Sequence, residues 1–364
     1  MTCRTVGVEE EMFLVDPSTG RLDGSSDRVI GAVGAQDEIG QELFLQQVET
    51  RTEPHRDMAA LLEDLRATRR TASEAAVAVG ARVAAMATPV MADDGGVVTP
   101  KERYERMMTR FGRLGVQSMA CGTHVHVVVA GDEEGVAVLD RLRPWLPLVL
   151  AMSANSPFNL GVDTAYASWR AQIWEAWPSA GAVEPFGDAS GYRRAIAAIV
   201  SSGAALDEGM IYFDARLSNH LPTVEVRVAD VCTDLADTIL VVAVVRALVD
   251  TCASAWHAGT AVEPWRVDLL RAARWRARRD GLSDALIDPS SGAPAPAAEA
   301  LATLVRTIGP ALDRSGDARL VQDGIERLLR DGTGSARQRA AAGPGLDLRS
   351  VVDDVLDRTA ASWR

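Results

Sequence analysis

Three glutamates stand side by side in the stretch VGVEEEMFLVD, residues 6–16. In an extended strand, residues two apart share a face. Glu9 and Glu11 therefore point one way with Gly7 and Phe13, while Glu10 points the other way with Val6, Val8, Met12 and Leu14. The same pattern recurs three times. In GTHVHVVV, His124 and His126 share a face opposite Val125, Val127 and Val129. In TVEVRVAD, Glu225 and Arg227 face away from Val224, Val226 and Val228, and in QVETRTE, Glu49, Arg51 and Glu53 share a face. A solvent-facing sheet alternates too, but such faces draw Thr, Ser, Lys and Gln, whereas these carry Glu, His and Arg. Carboxylates gathered on one surface repel unless a cation sits among them. A hard divalent ion such as Mg²⁺ or Mn²⁺ takes oxygen ligands, and Mn²⁺ also accepts imidazole. The forked donors of an arginine suit a phosphate or a carboxylate. Together these groups point to phosphoryl transfer from a metal nucleotide.

These residues need strands to align them and helices to cover the apolar faces. Residues 4–16 read as a strand, 41–53 as a second, and 56–86 as one long amphipathic helix. Residues 115–132 read as strand, turn and strand, and 135–154 as a helix perturbed by Pro144 and Pro147. IYFDARLS and PTVEVRVADV read as paired strands, and the helix YRRAIAAIVSSGAAL precedes them. From Asp234 on, the pattern is helical, with the linker DPSSGAPAPAAEA (288–300) between helices. Loops too short for crossovers favour an antiparallel sheet, hence an α+β fold. Glu42 lies seven residues before Glu49, so one continuous strand would turn it away; a turn near 43–46 would bring it in. Glu10, on the apolar side, is expected to pair with an arginine or to reach a sheet edge.

The 364 residues are 47% hydrophobic, enough for a sizeable core, and the net charge of −12 speaks against a nucleic-acid partner. Lys101 is the only lysine, in TPKERY, so a Walker-type P-loop is excluded. No H-E-x-x-H zinc motif occurs. Cys3, Cys121, Cys232 and Cys252 are scattered without a C-x-x-C pair, which favours a reducing, cytoplasmic setting. The N-terminus has no signal pattern, and the longest apolar run, ADTILVVAVVRALV, is interrupted by Arg246 and reads as too short to span a membrane.

The stretches GVEEEMFLVD, QVETRT, CGTHVHV, SANSPFNLGVDTAYASWR, PTVEVRVAD and GTGSARQR, in this order, resemble the glutamate–cysteine ligase type 2 (carboxylate–amine ligase) family of the glutamine synthetase-like superfamily. The resemblance implies a curved antiparallel sheet, a half-barrel, with helices on its convex side and the site on the concave face. It implies a single ligase domain over 1–364, with 1–230 carrying most of the sheet and 234–364 mainly helical. It implies ATP and Mg²⁺ or Mn²⁺ as cofactors, glutamate or a similar acid and an amine such as cysteine as substrates, and a homodimer. Carried over by position, Glu9, His124 and Glu225 would surround one ion, and Glu11, Glu42 and Glu49 another. His126 matches a position facing the nucleotide phosphates, and Arg227 one that stabilises the transferring phosphoryl group. Arg170 would hold a substrate carboxylate or a phosphate, and Arg216, on the strand before Glu225, is a further arginine candidate. The GTGSARQR element, with Arg337 and Arg339, would close over the nucleotide. Asn159 departs from the tryptophan expected in relatives. A guanidino-kinase-like phosphotransferase, a metal-dependent hydrolase and a non-catalytic ligand-binding relative remain alternatives.

Overall fold

The computed structural model describes residues 3–34, 38–92 and 95–364. Its main sheet takes β1 (Val6–Val15), β2 (Ile39–Gln41), β3 (Gln47–Arg51), β4 (Arg82–Ala84) and β5 (Gly122–Val128). Two short strands, β6 (Phe158–Asn159) and β7 (Val162–Asp163), form a separate hairpin. The main sheet is completed by β8 (Ala215–Leu217) and β9 (Thr223–Asp230), and β10 (Leu286–Ile287) pairs with β11 (Pro294–Ala295) in a second hairpin. The main sheet is antiparallel and open, in the order β2-β3-β1-β5-β9-β8, with β4 pairing the far end of β1.

Alternation along the strands decides what each face meets. Val6, Val8, Val125, Val127, Val224, Val226 and Val228 are all buried on one side. The helix Leu235–His257 contacts β1, β5 and β9, and itself packs against the helices Met58–Ala78 and Asp132–Leu142. Each such side chain contributes about 1.5–3 kcal/mol when fully removed from water. The helices therefore hold the apolar face, and the Glu/His/Arg face is left free for ligands.

The strand reading of 41–53 breaks at a turn: β2 stops at Gln41 and β3 begins at Gln47. Glu53 lies beyond β3 and is exposed. The helix expected over 56–86 ends at Ala78. Gly80 adopts φ +90°, and the chain returns as β4, whose Ala84, Val83 and Arg82 pair with Phe13, Leu14 and Val15. Ladder pairing and burial there outweigh the helical tendency of the sequence. Residues 115–132 give one strand, not two, and 135–154 splits into Asp132–Leu142 and Leu146–Ser153. Pro144 falls in that break, while Pro147 sits in the first turn of the second helix, where a missing N–H costs little.

Beyond Asp234 only β10 and β11 interrupt the helices. The apolar run around Arg246 belongs to the 23-residue helix Leu235–His257, long and apolar enough by length and composition to cross a membrane. Its apolar window is 78% buried within the protein, the environment of a core helix.

Candidate active site

Cross-strand register assembles the site. Glu9 on β1 lies opposite Arg51 on β3 and opposite His124 on β5. Glu11 lies opposite Glu49, His126 opposite Glu225, and Glu225 opposite Arg216 on β8. Five neighbouring strands thus bring their polar faces to one cavity of about 590 Å³, within the usual range for small-molecule sites. Glu9, Glu11, Glu42, Glu49, His124, His126, Arg216, Glu225 and Arg227 all line it. Glu42 enters because the chain turns between β2 and β3; Leu43 N–H donates to its Oε2 at 3.2 Å.

His124 is the junction. Its Nδ1 is 3.2 Å from Glu9 Oε2 and 3.9 Å from Glu225 Oε1, and its Nε2 is 3.7 Å from Glu11 Oε1. Two groups of potential ligands result, Glu9–His124–Glu225 and Glu11–Glu49–His124, each with ligand atoms within 4.8 Å of one another. The Nε2 atoms of His124 and His126 are buried and lack a hydrogen-bond partner. His126 is held at Nδ1 by Thr223 Oγ1 at 3.0 Å. Guanidinium groups border this set. Arg227 Nη1 contacts Glu225 and lies 3.4 Å from His124 Nδ1, Arg216 Nε donates to Glu225 Oε2 at 2.7 Å, and Arg51 pairs with Glu49.

The charges sort into two kinds. Burial works against ionised Glu225, but the guanidinium groups of Arg227 and Arg216 outweigh it and hold its carboxyl well below the usual range. Burial likewise opposes Glu9, and the imidazoles of His124 and His126 overcome it. Glu11 has no such excess of cations: burial and the neighbouring Glu42 push it up to about 7. Burial raises Glu42 as well, and burial together with Glu42 raises Glu49 further. Burial and Arg227 hold His124 down at about 4, so its ring is neutral at pH 7 and able to ligate. Crowded carboxylates that resist ionisation, beside a neutral imidazole with a free nitrogen, are the donor set a hard divalent cation satisfies.

Two candidate residues are placed elsewhere. Arg170 passes over Gly122 at the end of the polar face, but it is 2% exposed and does not line the cavity. Its Nη2 donates to the Arg227 carbonyl at 3.2 Å and its Nη1 lies 3.9 Å from Asp230 Oδ1, so it supports the strand that carries Arg227. Arg337 is turned away from the cavity and pairs with Asp237 and Asp234 at the start of the helix Leu235–His257. The GTGSARQR element docks on the SANSPF loop instead of covering the site. Gln338 Nε2 donates to Asn155 O and Oδ1 at 2.9 and 2.8 Å, and Gly334 packs where a Cβ would fall 2.1 Å from Asn155 Oδ1. Arg339 pairs with Asp163 at 2.8 Å. Asn159, in β6, does not line the cavity either.

The sequence reading missed the wall opposite the sheet. Tyr104, Met107, Trp174, Trp177 and Tyr212 line the cavity, with Trp174 and Trp177 at 4.7 and 5.3 Å from the Tyr212 ring. They come from helices and loops with no strand-like alternation, and an aromatic side chain in such a segment reads as core.

The fold matches that of a glutamate–cysteine ligase from Francisella tularensis in complex with AMP (TM-score 0.71, 14% identity, covering 100% of this chain and 93% of that one). It also matches a bifunctional glutathione synthetase from Pasteurella multocida (TM-score 0.70, 14% identity, 99% and 52%). At these identities the likeness is one of fold. The profile of Glutamate-cysteine ligase family 2 (GCS2) matches residues 5–354. A Nocardioides sp. (strain ATCC BAA-499 / JS614) protein provisionally named glutamate–cysteine ligase 2-1 is 46% identical over 99% of this chain and 97% of its own. A Streptomyces coelicolor protein provisionally named glutamate–cysteine ligase 2 is 44% identical, over 99% and 100%. The chain belongs to glutamate–cysteine ligase family 2, a family of ATP-dependent carbon–nitrogen ligases.

Proposed function

We propose that this chain, acting as one ligase domain over residues 1–364, joins the γ-carboxylate of glutamate, or of a close analogue, to an amine at the expense of ATP. The observation that carries the reading is the sharing of His124 between two carboxylate groups directly beside Arg227. Glu9, His124 and Glu225 would hold one Mg²⁺ or Mn²⁺, and Glu11 and Glu49 a second, with the shared His124 beside them and Glu42 reaching in from the turn. When bound, such ions neutralise phosphate charge.

The protein's own groups do the rest. The γ-carboxylate attacks the γ-phosphorus of ATP, the bond to the bridging oxygen breaks, and ADP leaves an acyl phosphate. The amine then attacks the acyl carbon, loses a proton and expels phosphate, giving a γ-glutamyl amide. Arg227, fixed by Glu225, supplies a preorganised positive group for the oxygens of the moving phosphoryl, a contribution of about 3 kcal/mol for a well-placed donor. His126 offers Nε2 to the nucleotide phosphates, and Arg216 keeps Glu225 ionised and in place.

Cysteine is the family's namesake acceptor. The cavity wall of Tyr104, Trp174, Trp177 and Tyr212 offers no thiol-specific group, and Cys121 is buried away from solvent, its thiol pushed up by burial. A cytoplasmic setting accords with four unpaired cysteines, and a homodimer with the family resemblance. The test is ADP release with Mg²⁺, L-glutamate and a panel of amines. ADP formation that requires both glutamate and an amine supports ligation. Formation with an amine or guanidine alone, yielding a phosphorylated product, would replace ligation with a phosphotransferase.

A further inference from the structure

The aromatic wall opposite the sheet plays no part in the phosphoryl chemistry. Tyr104 and Met107, on the helix Glu102–Phe111, share it with Trp174, Trp177 and Tyr212, and the two indoles pack against the Tyr212 ring at 4.7 and 5.3 Å. Aromatic faces of this kind receive an apolar or aryl group and stack on it. The acyl phosphate forms on the sheet side, so this wall is left to the second substrate, the amine.

The guanidinium groups lining the cavity say what that amine lacks. On the sheet, Arg51 pairs with Glu49, and Arg216 and Arg227 pair with Glu225. Both glutamates belong to the ligand groups, so a bound cation competes for them and leaves these arginines to the phosphates and the acid substrate. Arg103, next to Tyr104, is differently placed. Its Nε and Nη2 donate to Asp207 Oδ2 and Oδ1, both at 2.9 Å, and its Nη1 lies 3.6 Å from Met107 Sδ. Asp207 belongs to neither ligand group and does not line the cavity, so nothing in the reaction draws it off Arg103. Lys101 stands over the Tyr104 ring at 5.3 Å and does not line the cavity either. Glu42 is close as well: burial and its carboxylate push the Tyr104 hydroxyl up. A carboxylate brought to this wall would meet a glutamate and a guanidinium whose fork is already filled.

We infer that the acceptor is an arylalkylamine without a carboxylate of its own, seated on Tyr104, Trp174 and Tyr212, and that Asp207 selects against amino-acid acceptors by closing Arg103. This rests on the ligase reading above and adds to it the class of the second substrate and a specificity-determining residue outside the cavity.

The test is glutamate-dependent ADP release at saturating Mg·ATP with phenethylamine, phenylalanine, cysteine and butylamine in turn, the γ-glutamyl product being identified by mass spectrometry. Phenylalanine differs from phenethylamine by its carboxylate, and butylamine lacks the ring. The kcat/KM for phenethylamine should exceed that for each of the others by about tenfold or more. Asp207→Asn should bring phenylalanine to within about threefold of phenethylamine. Trp174→Leu should raise KM for phenethylamine about tenfold, with kcat and KM for glutamate near wild type. Phenylalanine or cysteine used by wild type as well as phenethylamine overturns the inference and leaves the ligase reading standing, and so does butylamine used equally well. A preference that Asp207→Asn leaves unchanged overturns the part given to Asp207. If phenethylamine is not accepted the inference falls; the ligase reading falls only when no amine gives glutamate-dependent ADP release. If Trp174→Leu does not fold, Tyr104→Leu decides by the same criterion.

Discussion

Glu10 and Arg69 form a two-pronged ion pair with no solvent exposure on either side chain: Arg69 Nε and Nη2 donate to Glu10 Oε2 and Oε1 at 2.8 and 2.7 Å. Thr238 Oγ1 donates to the same carboxylate at 3.0 Å, and Arg69 also donates to the carbonyls of Cys232 and Thr233. The middle glutamate of the opening triplet is thus spoken for on the helix side. It ties β1 to the helix Met58–Ala78 and to the entry of the helix Leu235–His257, while its two neighbours face the cavity.

Removing one member of that pair strands a buried charge. Arg69→Ala should lower unfolding free energy by about 3–5 kcal/mol. The double replacement Glu10→Leu/Arg69→Met should recover much of the loss, since an apolar pair needs no desolvation of charge. Urea unfolding of wild type, Arg69→Ala and the double variant is the check; equal losses in the two variants would show that the pair is not the cause.

Glu225 is held by Arg227 and Arg216 and stands in the Glu9–His124–Glu225 group. Glu225→Ala should cut glutamate- and amine-dependent ADP release by about 10² or more. It should also weaken Mn²⁺ binding measured by electron paramagnetic resonance. Near wild-type ADP production in this variant would remove Glu225 from the metal assignment.

Cation binding should release protons. Burial and Glu42 hold Glu11 up at about 7, and Glu42 and Glu49 are raised in the same direction, whereas His124, held down at about 4, is already neutral. A carboxyl with a raised value carries a proton below that value and must lose it to ligate. Mg²⁺ affinity should therefore climb as pH rises through about 7, where Glu11 gives up its proton. Calorimetry at pH 6.5 in two buffers of different ionisation enthalpy should give different apparent enthalpies, and at pH 8.5 the difference should shrink. Equal enthalpies at pH 6.5 would contradict the crowding of these three acids.

Arg170 acts through packing. A Cβ on Gly122 would fall 2.2 Å from Arg170 Nη2, and Arg170 braces the β9 carbonyls beside Arg227. Gly122→Ala should destabilise by about 1–3 kcal/mol. Arg170→Lys should lower kcat by displacing Arg227 while leaving Mg·ADP affinity near wild type, because Arg170 does not border the cavity. A raised Kd for Mg·ADP in Arg170→Lys would instead place this side chain on the nucleotide.

Alternation by itself was enough to put Glu9 with Glu11, His124 with His126, and Glu225 with Arg227, since strand geometry leaves no freedom about which side chains share a face. Periodicity of valines named the face that helices would cover, and the lone lysine removed P-loop chemistry. Which strands would be neighbours was not legible. β1 pairs with β5 across more than a hundred residues, and only that non-local register sets Glu9 against His124 and makes His124 the shared member of two ligand groups. The partner of Glu10, the inward turn of Glu42 and the displacement of Arg170 and Arg337 from the cavity were likewise tertiary outcomes. A residue's face follows from backbone dihedrals two positions either side. Its neighbours across the sheet follow from burying every apolar face at once, a condition that belongs to the whole chain.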